Sequence, residues 1–332
     1  MKLVKNKKTA INIGAIVAVI IVGAAFYFLT QPKEEVIVNW GARLTEPEII
    51  FLAKKFYEKY GIKLNVIWYP TGVELRDALI AGEVDFAELG VTPAITGLSR
   101  SDDMVILSFV EHGGGKYRVV VRKDSPYQTM DDLLGKKIAV KIGSGCYTAF
   151  LKYVTSRGWD IKDFEVIDMG DVDAMAALEA GSVDAVVYWE PIPAMLVTKG
   201  VAREIFNFEG FVENPVVFAS RRSFVEAHKD ITVKILAAWI ETLEFLRNNP
   251  KEAAEIVSRE MAKKGIEIPP EAYELSLSHM NYTAWVEQRV IDEFIKIGDL
   301  LVEKGKIPPD SVNWDKAFDF SYLEEATKLV KG

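Results

Sequence analysis

The chain has 332 residues, 49 % of them apolar, with three histidines, one cysteine and a net charge of −8 at pH 7. That length allows one large or two medium domains with sizeable cores. The single Cys146 excludes an internal disulfide and a thiolate metal cluster. Setting aside the four lysines among the first eight residues leaves a body at −12, which excludes a nucleic-acid binder, since that needs a concentrated basic face.

Residues 1–9 form a basic flank, and residues 10–29 are an uncharged run dominated by Ile, Val and Ala. About 20 apolar residues span a bilayer core, and the preceding lysines place everything after residue 30 outside the cell. A transmembrane anchor is therefore expected, with a cleaved signal segment as the alternative. Residues 30–35 read as a linker. Val36–Trp40 reads as a buried first strand. Thr45-Glu-Pro-Glu48 has the form of a capping box opening a helix that Gly61 stops. Leu64–Trp68 is the next strand, Thr71-Gly-Val-Glu74 a second capping box, and Val84–Leu89 the strand after its helix. Strands alternating with helices of this length imply parallel βαβ crossovers. Val105–Glu111 and Tyr117–Arg122 read as strands around a flexible Gly113-Gly-Gly115. A second βαβ series opens at Lys137–Ile142, turns at Gly143–Gly145 and continues through the strand Phe164–Ile167. Val216–Ala219 is fit for a strand returning between lobes, and from Phe224 onward amphipathic helices predominate.

Two stretches 99 residues apart nearly repeat. Ala78-Leu-Ile-Ala-Gly-Glu-Val-Asp85 and Ala177-Leu-Glu-Ala-Gly-Ser-Val-Asp184 agree at six of eight positions. A repeat at this distance points to two lobes of similar build with a ligand between them. In open α/β sheets, ligands bind beyond the carboxyl ends of the strands, where helix N-termini hold anions. That rule selects Trp40–Glu46, Tyr69–Gly72 and Gly90–Pro93 in the first lobe, and Gly143–Thr148, Met169–Asp171 and Trp189–Pro191 in the second. At or next to these turns, Trp40, Trp68, Tyr69, Tyr147 and Trp189 are candidate aromatic walls, each with plain core packing as its alternative. Arg43 is placed to clamp a carboxylate or sulfonate, or to be a solvated surface arginine. Glu190 is placed to accept a hydrogen bond from a ligand amine. His112 is either a hinge histidine or a ligand contact. Cys146 lies at a helix start, which lowers a thiol pKa, but it has no evident histidine partner. No nucleophile elbow, metalloprotease helix or carboxylate cluster of metal-ligand spacing is present in the sequence.

Gly72, Ala78–Asp85 with Gly90-Val-Thr-Pro93, Leu133-Leu-Gly-Lys-Lys137 with Gly143-Ser144, and Val183-Asp-Ala with Trp189-Glu-Pro191 together resemble the solute-binding proteins of ABC importers for nitrate, sulfonate and taurine. The resemblance covers about residues 36–260. It implies an α/β type II periplasmic-binding-protein fold, two βαβ lobes joined by a two-crossing hinge. Lobe 1 would be 36–120 with the helical tail 220–332 returning to it, lobe 2 would be 121–219, and the crossings would lie near Val119–Arg122 and Val216–Ser220. It places an anion-contacting turn on Ser144 and Gly145, and cleft turns on Thr71, Gly72, Thr92 and Trp189; Gly90 joins them from the strand-end rule. It further implies a monomeric receptor, not an enzyme, without cofactor or metal, that passes a small anionic organic solute to ABC permease subunits. The family's pyrimidine-synthase branch carries a Cys-Cys-Cys-Phe-Cys motif absent here, and no cysteine is available for a lipid anchor. The rivals are an enzyme on the same fold, such as a chorismate dehydratase, and the effector lobes of a LysR-type regulator.

Overall fold

The computed structural model describes residues 37–332; the expected basic flank, transmembrane segment and linker lie outside the described residues. Among the described residues no helix is long and apolar enough to cross a membrane. Strand β1 (Ile37–Ala42), helix α1 (Glu46–Lys54), β2 (Lys63–Trp68), α2 (Gly72–Ala81), β3 (Phe86–Gly90), α3 (Val91–Leu98) and β4 (Met104–Glu111) alternate. The first helix ends earlier than the expected Gly61, at Lys55 in a left-handed conformation, with a 3-10 turn over Phe56–Tyr60 carrying the chain to Gly61. Beyond a short crossing come β5 (Tyr117–Arg122), β6 (Lys137–Val140), α4 (Gly145–Ser156), β7 (Glu165–Asp168), α5 (Asp171–Ala180), β8 (Ala185–Trp189), α6 (Ile192–Thr198) and β9 (Ala202–Asn207). A second crossing leads to β10 (Val216–Arg221), then α7 (Arg222–Ala227), α8 (Lys229–Asn248), α9 (Pro250–Ala262), α10 (Pro270–Ser278), α11 (Gln288–Glu303), α12 (Trp314–Ala317) and α13 (Ser321–Lys331).

The strands form two five-stranded sheets, ordered β2-β1-β3-β10-β4 and β7-β6-β8-β5-β9. Each combines parallel βαβ pairs (β1 with β3; β6 with β7 and β8) with one antiparallel strand supplied by the chain after it crosses. This is the architecture of a periplasmic-binding-protein fold. The chain leaves the first sheet after Glu111 and returns to it at Val216. The expected crossing positions, Val119–Arg122 and Val216–Ser220, instead lie inside β5 and β10, fully paired with their neighbours. The crossings are the loops before those strands.

The first crossing is close-packed. Gly113 has φ +105°, a conformation that favours glycine, and its N–H donates to the Glu213 carbonyl across the second crossing. A Cβ on Gly114 would lie 1.9 Å from the Phe208 carbonyl oxygen. The two connections therefore lie backbone against backbone.

The repeat has a structural reading. Gly82 and Gly181 end α2 and α5 in left-handed conformations. Asp85 then accepts the Asn39 N–H of β1 at 2.8 Å, and Asp184 accepts the Lys137 N–H of β6 at 2.9 Å. Each aspartate thus fastens the strand after its helix to the neighbouring strand. Asp85 also receives Arg221 Nη2 at 3.0 Å from β10.

The principal core lies between the first sheet and the C-terminal helices, where Trp40, Phe51, Phe218 and Trp239 pack ring on ring. Helices α8, α9 and α13 contribute to it, whereas α11 packs on the opposite side. Helix α10 also reaches α6, on the second sheet's layer.

Candidate functional site: a cleft between the sheets

The ends of β3, β4 and β8, the first turns of α1, α4 and α5, and the segment after α9 surround a cavity of about 730 Å³. Its walls are largely apolar. Met175, Met195, Met261 and Met280 line it together with Trp189 and Tyr273, soft and flat surfaces that suit an organic body.

Of the residues expected at the site, Arg43, Gly90, Ser144, Gly145, Trp189 and Glu190 line this cavity. Gly145 is where only glycine fits, since a Cβ would lie 2.4 Å from the Tyr117 hydroxyl. Ser144 caps α4 by accepting the Tyr147 N–H at 3.3 Å. Glu190 is already engaged: Oε1 meets His279 Nδ1 at 2.6 Å, and Oε2 accepts the Ala194 N–H at 3.1 Å. That pair ties the second sheet to the C-terminal segment.

The other candidates lie elsewhere. Trp40 is fully buried in the core, stacked 4.2 Å from Phe51, with its indole N–H donated to Glu48 at 2.5 Å. Strand alternation turns its side chain towards α1 and α8. The Thr45–Glu48 capping box does not form, because Thr45 donates to Glu88 at 3.0 Å and Glu48 is drawn under Trp40. Thr71 caps α2 through the Glu74 N–H at 3.2 Å, and Thr92 is exposed on α3. Gly72 adjoins Arg43, with a Cβ there falling 2.9 Å from Nη1. Tyr147 packs beside the second sheet's core. His112 belongs to the crossings: Nδ1 contacts Glu213 at 2.7 Å, and Nε2 meets Asn281 Nδ2 at 2.9 Å. Burial, with Arg289 nearby, holds its pKa below the usual histidine range. Burial also pushes the Cys146 thiol up to about 11, overriding the expected helix-end effect.

The charge of the cavity departs from the sequence expectations. Six carboxylates line it (Glu46, Glu88, Glu111, Asp171, Glu190 and Glu267) against two cations, Arg43 and Lys116. Lys116 bonds Glu111 at 2.7 Å and the Asn214 carbonyl at 3.1 Å. Burial alone would depress its pKa, but Glu111 and Tyr117 outweigh that and raise it above the usual lysine range. Burial pushes Glu46 up to about 7, with Glu111, Glu88 and Glu190 adding repulsion. It does the same to Glu88, also to about 7, against the opposing pull of Arg43. A lone charge inside an apolar strand was the available signal: Glu88 interrupts Phe86–Leu89, and Glu111 ends Val105–Val110. No three of the described carboxylates, histidines and cysteine come together as a metal-holding group.

Relatives in sequence are named as solute binders, whereas proteins of similar shape include both solute binders and a desulfurization enzyme. A Bacillus subtilis (strain 168) protein named for binding aliphatic sulfonates is 29 % identical over 214 residues, and the match takes in 64 % of each chain. The chain thus spans somewhat less than two thirds of that relative's length. The taurine-binding periplasmic protein of Escherichia coli (strain K12) is 23 % identical over 264 residues, 76 % of this chain and 81 % of that one. The crystal structure of the periplasmic aliphatic sulphonate binding protein from Escherichia coli superposes with a TM-score of 0.73 at 21 % identity, covering 86 % of this chain and 92 % of the other. The two-sheet fold is therefore shared, and since residues 31–261 match its sequence model, the chain belongs to the NMT1-like family.

Proposed function

We propose that this protein is the extracytoplasmic solute receptor of an ABC importer, binding a small organic solute between its two sheets and handing it unchanged to permease subunits. The carrying observation is the cavity itself, whose walls come from both sheets and from the C-terminal segment. A ligand touching all three favours the closed arrangement because only that arrangement makes every contact at once. Arg43, Gly90, Ser144, Gly145 and Trp189 are the expected contacts. Residues 10–29 would tether the receptor to the membrane, or be removed as a signal. The relatives' names make sulfonates and taurine the first solutes to test. An enzyme on this fold is the weaker reading, since the relatives in sequence are named as binding proteins and burial keeps the Cys146 thiol protonated at neutral pH.

Thermal-shift screening of the purified protein over sulfonates, taurine, nitrate and amines tests the proposal. A solute in excess of its Kd stabilises the folded form, by about 2.7 kcal/mol at one hundred times Kd. Silence across the panel, or turnover of a bound compound such as chorismate, would overturn it.

A further inference from the structure

We propose that the ligand carries a cationic nitrogen, seated among Glu46, Glu88 and Glu111 in the cleft. This deepens the receptor reading and rests on it. The reasoning starts from unmet bonding capacity. Glu111 is 9 % exposed; its Oε1 takes Lys116, but its Oε2 has no hydrogen-bond partner among the described residues. Tyr282 is 2 % exposed and lines the same wall, and its hydroxyl is likewise unpartnered. Buried polar atoms are normally satisfied, so two of them on one cavity wall mark where a donor belongs. Among the described residues, Glu46 has no oppositely charged side chain bonded to it, and Glu88 has only the Thr45 hydroxyl as a bonded partner, with Arg43 acting at longer range.

The alternative occupant is a purely anionic solute, and the cleft opposes it. Two of the helix starts on the cleft, those of α1 and α5, carry their own acids, Glu46 and Asp171, which already answer the positive helix end. Lys116 is committed to Glu111. Among the described residues, and setting aside the Lys116–Glu111 pair, an added anion would face five carboxylates with Arg43 as the one lining cation uncommitted to a bonded partner. A protonated amine or amidinium inverts every one of these signs. It relieves the mutual repulsion of Glu46, Glu88 and Glu111, supplies the donor that Glu111 Oε2 lacks, and lies against Tyr273, Tyr282 and Trp189, whose ring faces attract cations.

The matched pair taurine and isethionate isolates the nitrogen, because they differ in ammonium against hydroxyl. Calorimetric titration and thermal shift would compare that pair, then phenethylamine, putrescine and choline against methanesulfonate and nitrate, at pH 6 and pH 8. The nitrogen cations should bind, with taurine tighter than isethionate. Their affinity should rise by about tenfold or more from pH 6 to pH 8, as Glu46 and Glu88 ionise in the presence of Arg43, Glu48, Lys116, Glu190 and Tyr273. Glu88→Gln should weaken cation binding by roughly tenfold or more while raising the melting temperature of the free protein, so lost affinity cannot be misfolding. Nitrogen-free anions binding as tightly as the cations at pH 8, or cations binding no tighter at pH 8 than at pH 6, would overturn the cationic ligand and leave the receptor standing. Failure of both classes to bind would overturn both.

Discussion

Replacing Glu88 by glutamine in the ligand-free protein should stabilise it, and only at high pH. Glu88 is 4 % exposed, and its carboxyl is pushed from 4.5 up to about 7, chiefly by burial. Between those values the folded protein holds a proton that the unfolded chain has released. Stability from this group is therefore greatest below about pH 4.5 and is lost as pH rises through 7. Each tenfold rise in the carboxylate's proton affinity on folding is worth about 1.4 kcal/mol, so the ionised form costs about 3 kcal/mol at pH 8 and under about 1 kcal/mol at pH 5. Glu46 and Glu111 share the repulsion, so that figure is a ceiling for one substitution. Glutamine keeps an oxygen to accept from Thr45 and abolishes the titration. For a folded body of this size about 2 °C accompanies each kcal/mol. Glu88→Gln should thus raise the melting temperature by about 4–6 °C at pH 8 and by no more than about 2 °C at pH 5. Scanning calorimetry of both proteins across that range provides the measurement. A difference that stays constant with pH, or a destabilised variant at pH 8, would refute the claim that the cleft holds a carboxylate against its ionisation.

Three further outcomes follow from the packing. Gly114→Ala should destabilise the protein by about 2–3 kcal/mol or prevent folding, since its Cβ would collide with the Phe208 carbonyl; urea unfolding measures this, and a neutral result would mean the crossings are not in contact. Asp85→Ala should cost about 3 kcal/mol, because it strands the Asn39 N–H and leaves Arg221 without its carboxylate. Asp184→Ala, at a partly exposed site, should cost nearer 1 kcal/mol, and equal losses in chemical denaturation would contradict the burial difference. Cys146 should resist iodoacetamide at pH 8 until the chain unfolds, as its thiol is buried and pushed up to about 11; rapid labelling of the native protein would place it at the surface.

Much of the fold was legible because its rules are local. Glycine stops, apolar runs and the repeated Val-Asp pair lie within a few residues of what they specify, and the strand-end rule reached Arg43, Gly90, Ser144, Gly145, Trp189 and Glu190. Where a reading depended on which way a residue faces, it failed. Trp40 is a residue inside its strand, and Thr45 and Glu48 found distant partners stronger than a local cap. The acidic wall was hidden for another reason. Glu46, Glu88 and Glu111 come from three separate segments, and although Glu88 and Glu111 each stand out in or beside an apolar strand, nothing local says that the three meet. Tyr273, Met280 and Tyr282 joined them from a stretch that reads as helical tail. Only the closing of the chain on itself makes them neighbours.

The contact between the two connections carries a mechanical consequence. With Gly114 pressed against Phe208 and Gly113 hydrogen-bonded to Glu213, the pair behaves as a two-ply ribbon rather than two independent strings. Such a strip flexes about its thin direction and resists shear and torsion. Any change in the angle between the two sheets has to bend both connections together.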